Sequence, residues 1–195
     1  MKNRQYFVRP LNKQFSPEIY SEIISCIDRI DSFRRDIQDG VLRFHIVELV
    51  SCLKAGNLFA GLLVSSVILE LFLQSLIVEY SNKAKPKPFL DISYKEMLEE
   101  NKGIGFKKML DELCNVGLFD KKDAEDSKEF YDNIRIPIMH GLGHRFISKN
   151  SDESVFLASL GINFVGFHEF EKIIEDFSLI GVRFVIGVIE RNLPK

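Results

Sequence analysis

Arg135 and His140, within Asn133-Ile134-Arg135-Ile136-Pro137-Ile138-Met139-His140-Gly141, are the two residues whose types and spacing suit a chemical role. A guanidinium is always charged and offers paired donors that match a phosphate. An imidazole titrates near neutrality and can give or take a proton. Together they form a minimal kit for cleaving RNA without a metal. The histidine takes the 2′-hydroxyl proton or protonates the leaving oxygen, and the arginine stabilises charge on the phosphorane. On a straight helix the two side chains would point about 140° apart. Pro137 lies between them, removes one backbone donor and clashes with the preceding turn. The sequence therefore predicts a helix that ends near Arg135 and a kinked segment that restarts near Pro137, a bend that brings both side chains into one cleft. The alternative is an arginine paired with a nearby acid such as Asp132, and a histidine that caps or packs at the kink.

Other chemistries find little support. The chain has no GxxxxGK[ST] phosphate loop, GxGxxG, HExxH or GxSxG motif, and no calcium loop. His140 and His144 are four apart and could share a metal. Gly141 and Gly143 between them weaken any regular helix, however, and no neighbouring carboxylate or cysteine completes a site. Neither a metal nor a cofactor is expected. The basic groups Arg34-Arg35, Lys83/Lys85/Lys87, Lys107-Lys108 and Lys121-Lys122 read either as solvated surface or as phosphate contacts.

The elements that must position Arg135 read as helices. Ser16-Pro17-Glu18 is a helix start, with a capping hydroxyl, proline at the first position and an acid in the first turn. Ile19, Ile23, Ile27, Ile30 and Ile37 follow at helical spacing, with Gly40 expected to end the run. A shorter helix is predicted over His45 to Lys54, closed by Gly56. Asn57 then caps a long apolar helix to about Ser81. Asn82 to Pro88 reads as a loop, because its two prolines and three lysines forbid a helix core. Two short helices follow, over Ser93 to Asn101 and Gly105 to Val116, the second ended by Gly117. Asp120 or Asp123 caps a helix toward Arg135. Ser148 to Ser154 reads as a polar loop, and Val155 to Val165 fits a short extended piece. A final helix spans His168 to Asn192, with Phe170, Ile173, Ile174, Phe177, Ile180, Phe184 and Val188 on one stripe. Strand-type alternation is nearly absent. Short connections imply largely antiparallel neighbours, as in a bundle.

Composition agrees with a single all-α domain over residues 1–195, intracellular and cytoplasmic. Hydrophobic residues make up 46% of the chain and charged residues 28%, the balance of a globular protein. A net charge of −2 does not announce a nucleic-acid binder, though a local basic patch can serve a site on a near-neutral protein. Cys26, Cys52 and Cys114 are odd in number, widely spaced and set in apolar-periodic stretches, which suits free thiols in a reducing compartment. No apolar run follows the charged start Met1 to Tyr6, so no secretory leader is expected.

Leu58 to Val78 is about the ~20 residues needed to cross a bilayer. It nevertheless carries Glu70 and Gln74 mid-span. With Ser66 these stand four apart and form a narrow polar stripe on an otherwise apolar helix. A central carboxylate is costly in lipid. The expectation is a buried core helix and no membrane.

The string from Arg135 to Gly141 resembles the Arg-x4–6-His motif of the HEPN superfamily, helical domains of many prokaryotic toxins and antiviral ribonucleases. The family variant Arg-Asn-Pro-Ile-Ala-His-Gly matches at Arg135, Pro137, Ile138, His140 and Gly141. Leu69-Glu70 in the long apolar helix, and the Val116-Gly117-Leu118 turn before the motif helix, are similar to the family's context. The resemblance covers roughly Leu58 to Phe146. It implies Arg135 and His140 as catalytic residues, an acid on the long helix (here Glu70) that supports the arginine, and a homodimer whose two motifs face one cleft. It also implies RNA as substrate, and an antitoxin or regulatory protein as partner. Ile136 stands where a polar residue usually follows the arginine. Leu142 stands where the branch paired with small nucleotidyltransferases has a tyrosine, so the chain falls outside that branch. Some HEPN-like domains act as binding or regulatory modules instead of nucleases, which is the alternative function.

Overall fold

The structure, a computed structural model, describes residues 15–84, 105–136 and 167–194, with the backbone alone at 81–84 and 167–176. Every regular element among the described residues is helical. They are α1 (Pro17–Phe33), α2 (Gly40–Lys54), α3 (Leu58–Ala84), α4 (Phe106–Asn115), α5 (Lys121–Phe130), a π-helical turn (Tyr131–Arg135) and α6 (Phe167–Asn192).

Local chemistry explains most helix ends. The Ser16 hydroxyl accepts from the Ile19 N–H at 3.4 Å, and Pro17 opens α1. Ile23, Cys26, Ile27, Ile30 and Phe33 then form the buried stripe. This helix stops at Phe33, short of the expected Gly40. Gly40 is instead the first residue of α2, which starts five residues before the expected His45. The reason is Asp39, whose carboxylate accepts from the N–H groups of Val41 (2.8 Å) and Leu42 (2.9 Å) and so satisfies two orphan donors. Gly56, at φ 72°, supplies the left-handed residue after α2. The Asn57 side chain accepts from the Ala60 N–H at 3.1 Å at the start of α3. Gly117, at φ 73°, follows α4, and the Leu118 N–H donates to the Leu113 carbonyl at 2.9 Å, which closes a Schellman turn. Asp120 caps α5 by accepting from the Lys122 and Asp123 N–H groups.

Helix α3 is the centre of the fold, packed by α2, α4, α6 and the π turn. It runs through Ala84, past the expected end at Ser81. The rest of the predicted loop through Pro88 lies outside the described residues, as do the predicted helix 93–101, the loop 148–154 and the segment 155–165. Leu58–Tyr80 is long and apolar enough to cross a membrane, with a mean hydropathy of 2.1, a test that the core helix of a globular protein also passes. Here Leu58, Leu62, Ile68, Leu69, Phe72 and Leu73 are buried against neighbouring helices. A helix that is apolar nearly all round belongs at such a centre.

Contacts fix the helix directions. Ser75 meets Asp39 while Gly61 lies against Leu49 and Leu53, so α2 and α3 run antiparallel. Lys107 meets Asp132 and Asp111 meets Lys128, so α4 and α5 do as well. Asp123 meets Arg191 and Phe130 stacks on Phe184, which makes α5 and α6 antiparallel. The pair α1 and α6 is parallel instead, with Glu22 on Arg183 and Arg29 on Glu190. No tight turn joins those two helices, so nothing local imposes the antiparallel sense.

Of the stripe expected on α6, Val188 is buried and Phe177 and Phe184 pack against the core, whereas the side chains of Phe170, Ile173 and Ile174 lie outside the described residues. Ile180 is the exception at 59% exposed, and Leu179, Val182, Val185, Ile186 and Ile189 are buried in addition. Contacts with α3 on one side and α1 on another widen and turn the buried face beyond a single stripe. Gly181 sits at the α3 crossing, where an added Cβ would meet Leu62 Cδ1 at 2.4 Å and Phe130 at 3.3 Å.

Candidate functional site

Arg135 is carried by the turn that ends the α5 run. The cap of that turn is the Ile136 N–H bonded to the Tyr131 carbonyl, five residues back. A bond that spans five residues widens the turn relative to an α-helix. Turns of this kind are frequent at functional sites.

The guanidinium meets three groups. Its Nη2 donates to Glu70 Oε2 in an ion pair from the π turn to the middle of α3. Its carbon lies 5.0 Å from the Tyr131 ring centre and 6.0 Å from that of Phe106. Those two rings are stacked 4.5 Å apart with planes 11° from parallel. The three distances make a nearly even triangle, so the cation rests beside both rings at once and not on top of a column. Its Nε is buried and has no hydrogen-bond partner among the described residues. The Arg135 side chain is 18% exposed and that of Glu70 30%.

Of the residues singled out in the sequence, Arg135 and Glu70 are thus brought together. His140 lies outside the described residues, as do His144 and the rest of the motif from Pro137 onward. Asp132 is not the arginine's partner. It takes Lys107 at 2.7 Å. Ser66 is buried and donates to the Leu63 carbonyl, so only part of the polar stripe on α3 reaches the site.

Phe106 and Tyr131 were not among the residues marked by sequence. Tyr131 stands four before Arg135, the spacing that shares a helix face, and that was the available signal. Phe106 carried none, because its place beside Tyr131 depends on how α4 docks against α5.

The basic groups nearby are largely compensated. Lys107 pairs with Asp132, Lys108 with Glu112 at 3.9 Å and Lys128 with Asp111 at 2.5 Å. Farther away, Arg34 pairs with Asp31 at 3.1 Å. Lys121 and Lys122 are exposed at the start of α5. Among the described residues, no group of three or more His, Cys, Asp or Glu gathers as a metal site would.

At the far end of α5, Asp123 is buried and accepts from Arg191 and from the Asn192 amide at 2.7 Å, while Asn192 Oδ1 receives the Asp120 N–H at 2.9 Å. Burial pushes the Asp123 carboxyl up, but the bonds from Arg191 and Asn192 outweigh it and hold it below its ordinary range. This junction locks α5 to α6 and so fixes the helix that carries Arg135.

Comparison with protein-family models, with curated proteins and with solved structures gives no match.

Proposed function

We propose that this chain is a HEPN-like helical domain acting as a metal-independent endoribonuclease in a prokaryotic defence or toxin–antitoxin system. Arg135 holds the scissile phosphate and His140 moves the proton. Glu70 supports the arginine. Two copies form a homodimer in the cytoplasm, with the motifs facing one RNA cleft, and an antitoxin or regulatory protein holds the activity in check. The observation that carries this reading is Arg135 itself. It is a part-exposed guanidinium held at a π turn by Glu70 and two rings, with a buried Nε–H that has no acceptor among the described residues. A buried cationic donor left unpaired is costly, and an incoming phosphate oxygen would satisfy it. Controlled expression in bacteria tests the proposal. The wild-type chain arrests growth, and Arg135→Ala or His140→Ala, at equal protein level, restores it. Normal growth under wild-type expression would contradict the toxin reading.

A second reading, a catalytically silent module that binds a protein partner, is favoured by two observations. Glu70 and the acids on Lys107 and Lys108 compensate the positive charge an RNA cleft needs. Val41, Phe44 and Val47 also leave an apolar strip exposed on α2, with Phe44 at 59%.

A further inference from the structure

We infer that Phe106 and Tyr131 are positioning residues that set the plane of the Arg135 guanidinium for an oxyanion, an RNA phosphate under the reading above, on which this inference rests. An arginine side chain has large rotamer freedom. The bond to Glu70 fixes one nitrogen and leaves the group free to pivot about that contact. Two stacked rings with centres at 5.0 and 6.0 Å restrict that pivot by packing, because the guanidinium lies along the side of the stack and can turn only as far as the two rings allow. With the plane set, the donors away from Glu70 keep a constant direction, which paired recognition of a phosphate needs.

The rings form a rigid shelf. Phe106 is buried at the first turn of α4. Lys107 on Asp132 and Asp111 on Lys128 clasp α4 to the α5 run next to the ring stack and one turn farther along α4. Tyr131 opens the π turn that ends at Arg135, so shelf and cation share one local distortion of the helix. A purely structural pair would need only to fill space. This pair also contacts a charged group that the core does not require.

The test uses the full chain and a single-stranded RNA carrying 2′-O-methyl groups throughout, which can bind but cannot be cut. Tyr131→Leu is expected to weaken binding about three- to tenfold, the cost of ordering one freed, rotamer-rich side chain on binding. It is also expected to lower the salt slope by up to about 0.7, the value for one lost phosphate contact on a single strand. Tyr131→Phe, which keeps the stack, restores both. In the Arg135→Ala background Tyr131→Leu has no further effect on binding, because it acts only through the arginine. Additive losses, or unchanged affinity with a shifted unfolding midpoint, would overturn the inference. A second readout does not depend on RNA. The Arg135 Nε–H resonance carries a ring-current shift that Tyr131→Leu reduces and Tyr131→Phe retains. An unmoved resonance in Tyr131→Leu would overturn the positioning role. Failure of the wild type to bind the RNA, with the ring-current result intact, would instead remove the phosphate reading and leave the shelf.

Discussion

Glu70 and Arg135 meet as an ion pair across 65 residues of chain, joining the core helix α3 to the π-helical turn. Both partners are largely withdrawn from water, so removing one leaves the other with a poorly solvated charge. Glu70→Ala is therefore expected to destabilise the fold by about 1–3 kcal/mol. Glu70→Gln, which keeps an acceptor, is expected to cost less. Urea denaturation followed by circular dichroism measures both, and an unchanged midpoint in Glu70→Ala would show that the pair contributes nothing.

The crossing of α6 over α3 depends on Gly181, where a Cβ would lie 2.4 Å from Leu62 Cδ1. Leu62 is itself buried and has little room to retreat. Gly181→Ala is expected to cost about 1–3 kcal/mol by overpacking. In a Leu62→Val background the added methyl finds space, and the penalty of Gly181→Ala falls. Equal penalties in the two backgrounds would mean that the clash is relieved elsewhere.

The local signals in the sequence were good at starts and stops that lie in a few adjacent residues. Ser16-Pro17 and the glycines at 56 and 117 did what their chemistry suggests. Gly40 misled because glycine marks helix ends on both sides, and only the Asp39 cap tells which. Ile180 misled because one stripe was assumed for a helix covered from two directions. The bond from Glu70 to Arg135 has no local signal, because the two stand 65 residues apart and meet only through the packing of the π turn on α3. The adjacent Asp132, equally suitable by charge, is taken up by Lys107. The ring shelf was not legible, since it needs the docking of α4 and the π turn together.

Asp123 makes stability depend on acid. Its carboxyl is held below the ordinary range in the folded protein, mainly by Arg191 and Asn192 working against burial. A group with a depressed folded pKa contributes stability that is present above its unfolded value, near ~4, and is lost as pH falls through the folded value. Thermal midpoints of the wild type should drop as pH falls below about 4. Asp123→Asn should start lower at neutral pH and show a shallower drop. Parallel pH profiles for the two proteins would contradict this assignment.

The three thiols should separate by reactivity. Burial pushes Cys26 up to about 11, so little thiolate forms at neutral pH. Cys52 and Cys114 are also raised by burial but are only half-buried. A thiol reagent that reports colour at pH 8 should modify those two in the native protein and reach Cys26 only on unfolding. Modification of all three at one rate, with helicity intact, would show that the core around Cys26 opens readily.

The measurement that bears most directly on the central claim is cleavage of a labelled RNA pool by purified protein in EDTA, wild type beside Arg135→Ala and His140→Ala. The account predicts cutting by the wild type alone, leaving cyclic-phosphate ends, since the 2′-hydroxyl is the nucleophile. Intact RNA with a folded wild-type protein would contradict the account and make Arg135, Glu70 and their aromatic shelf part of a binding module.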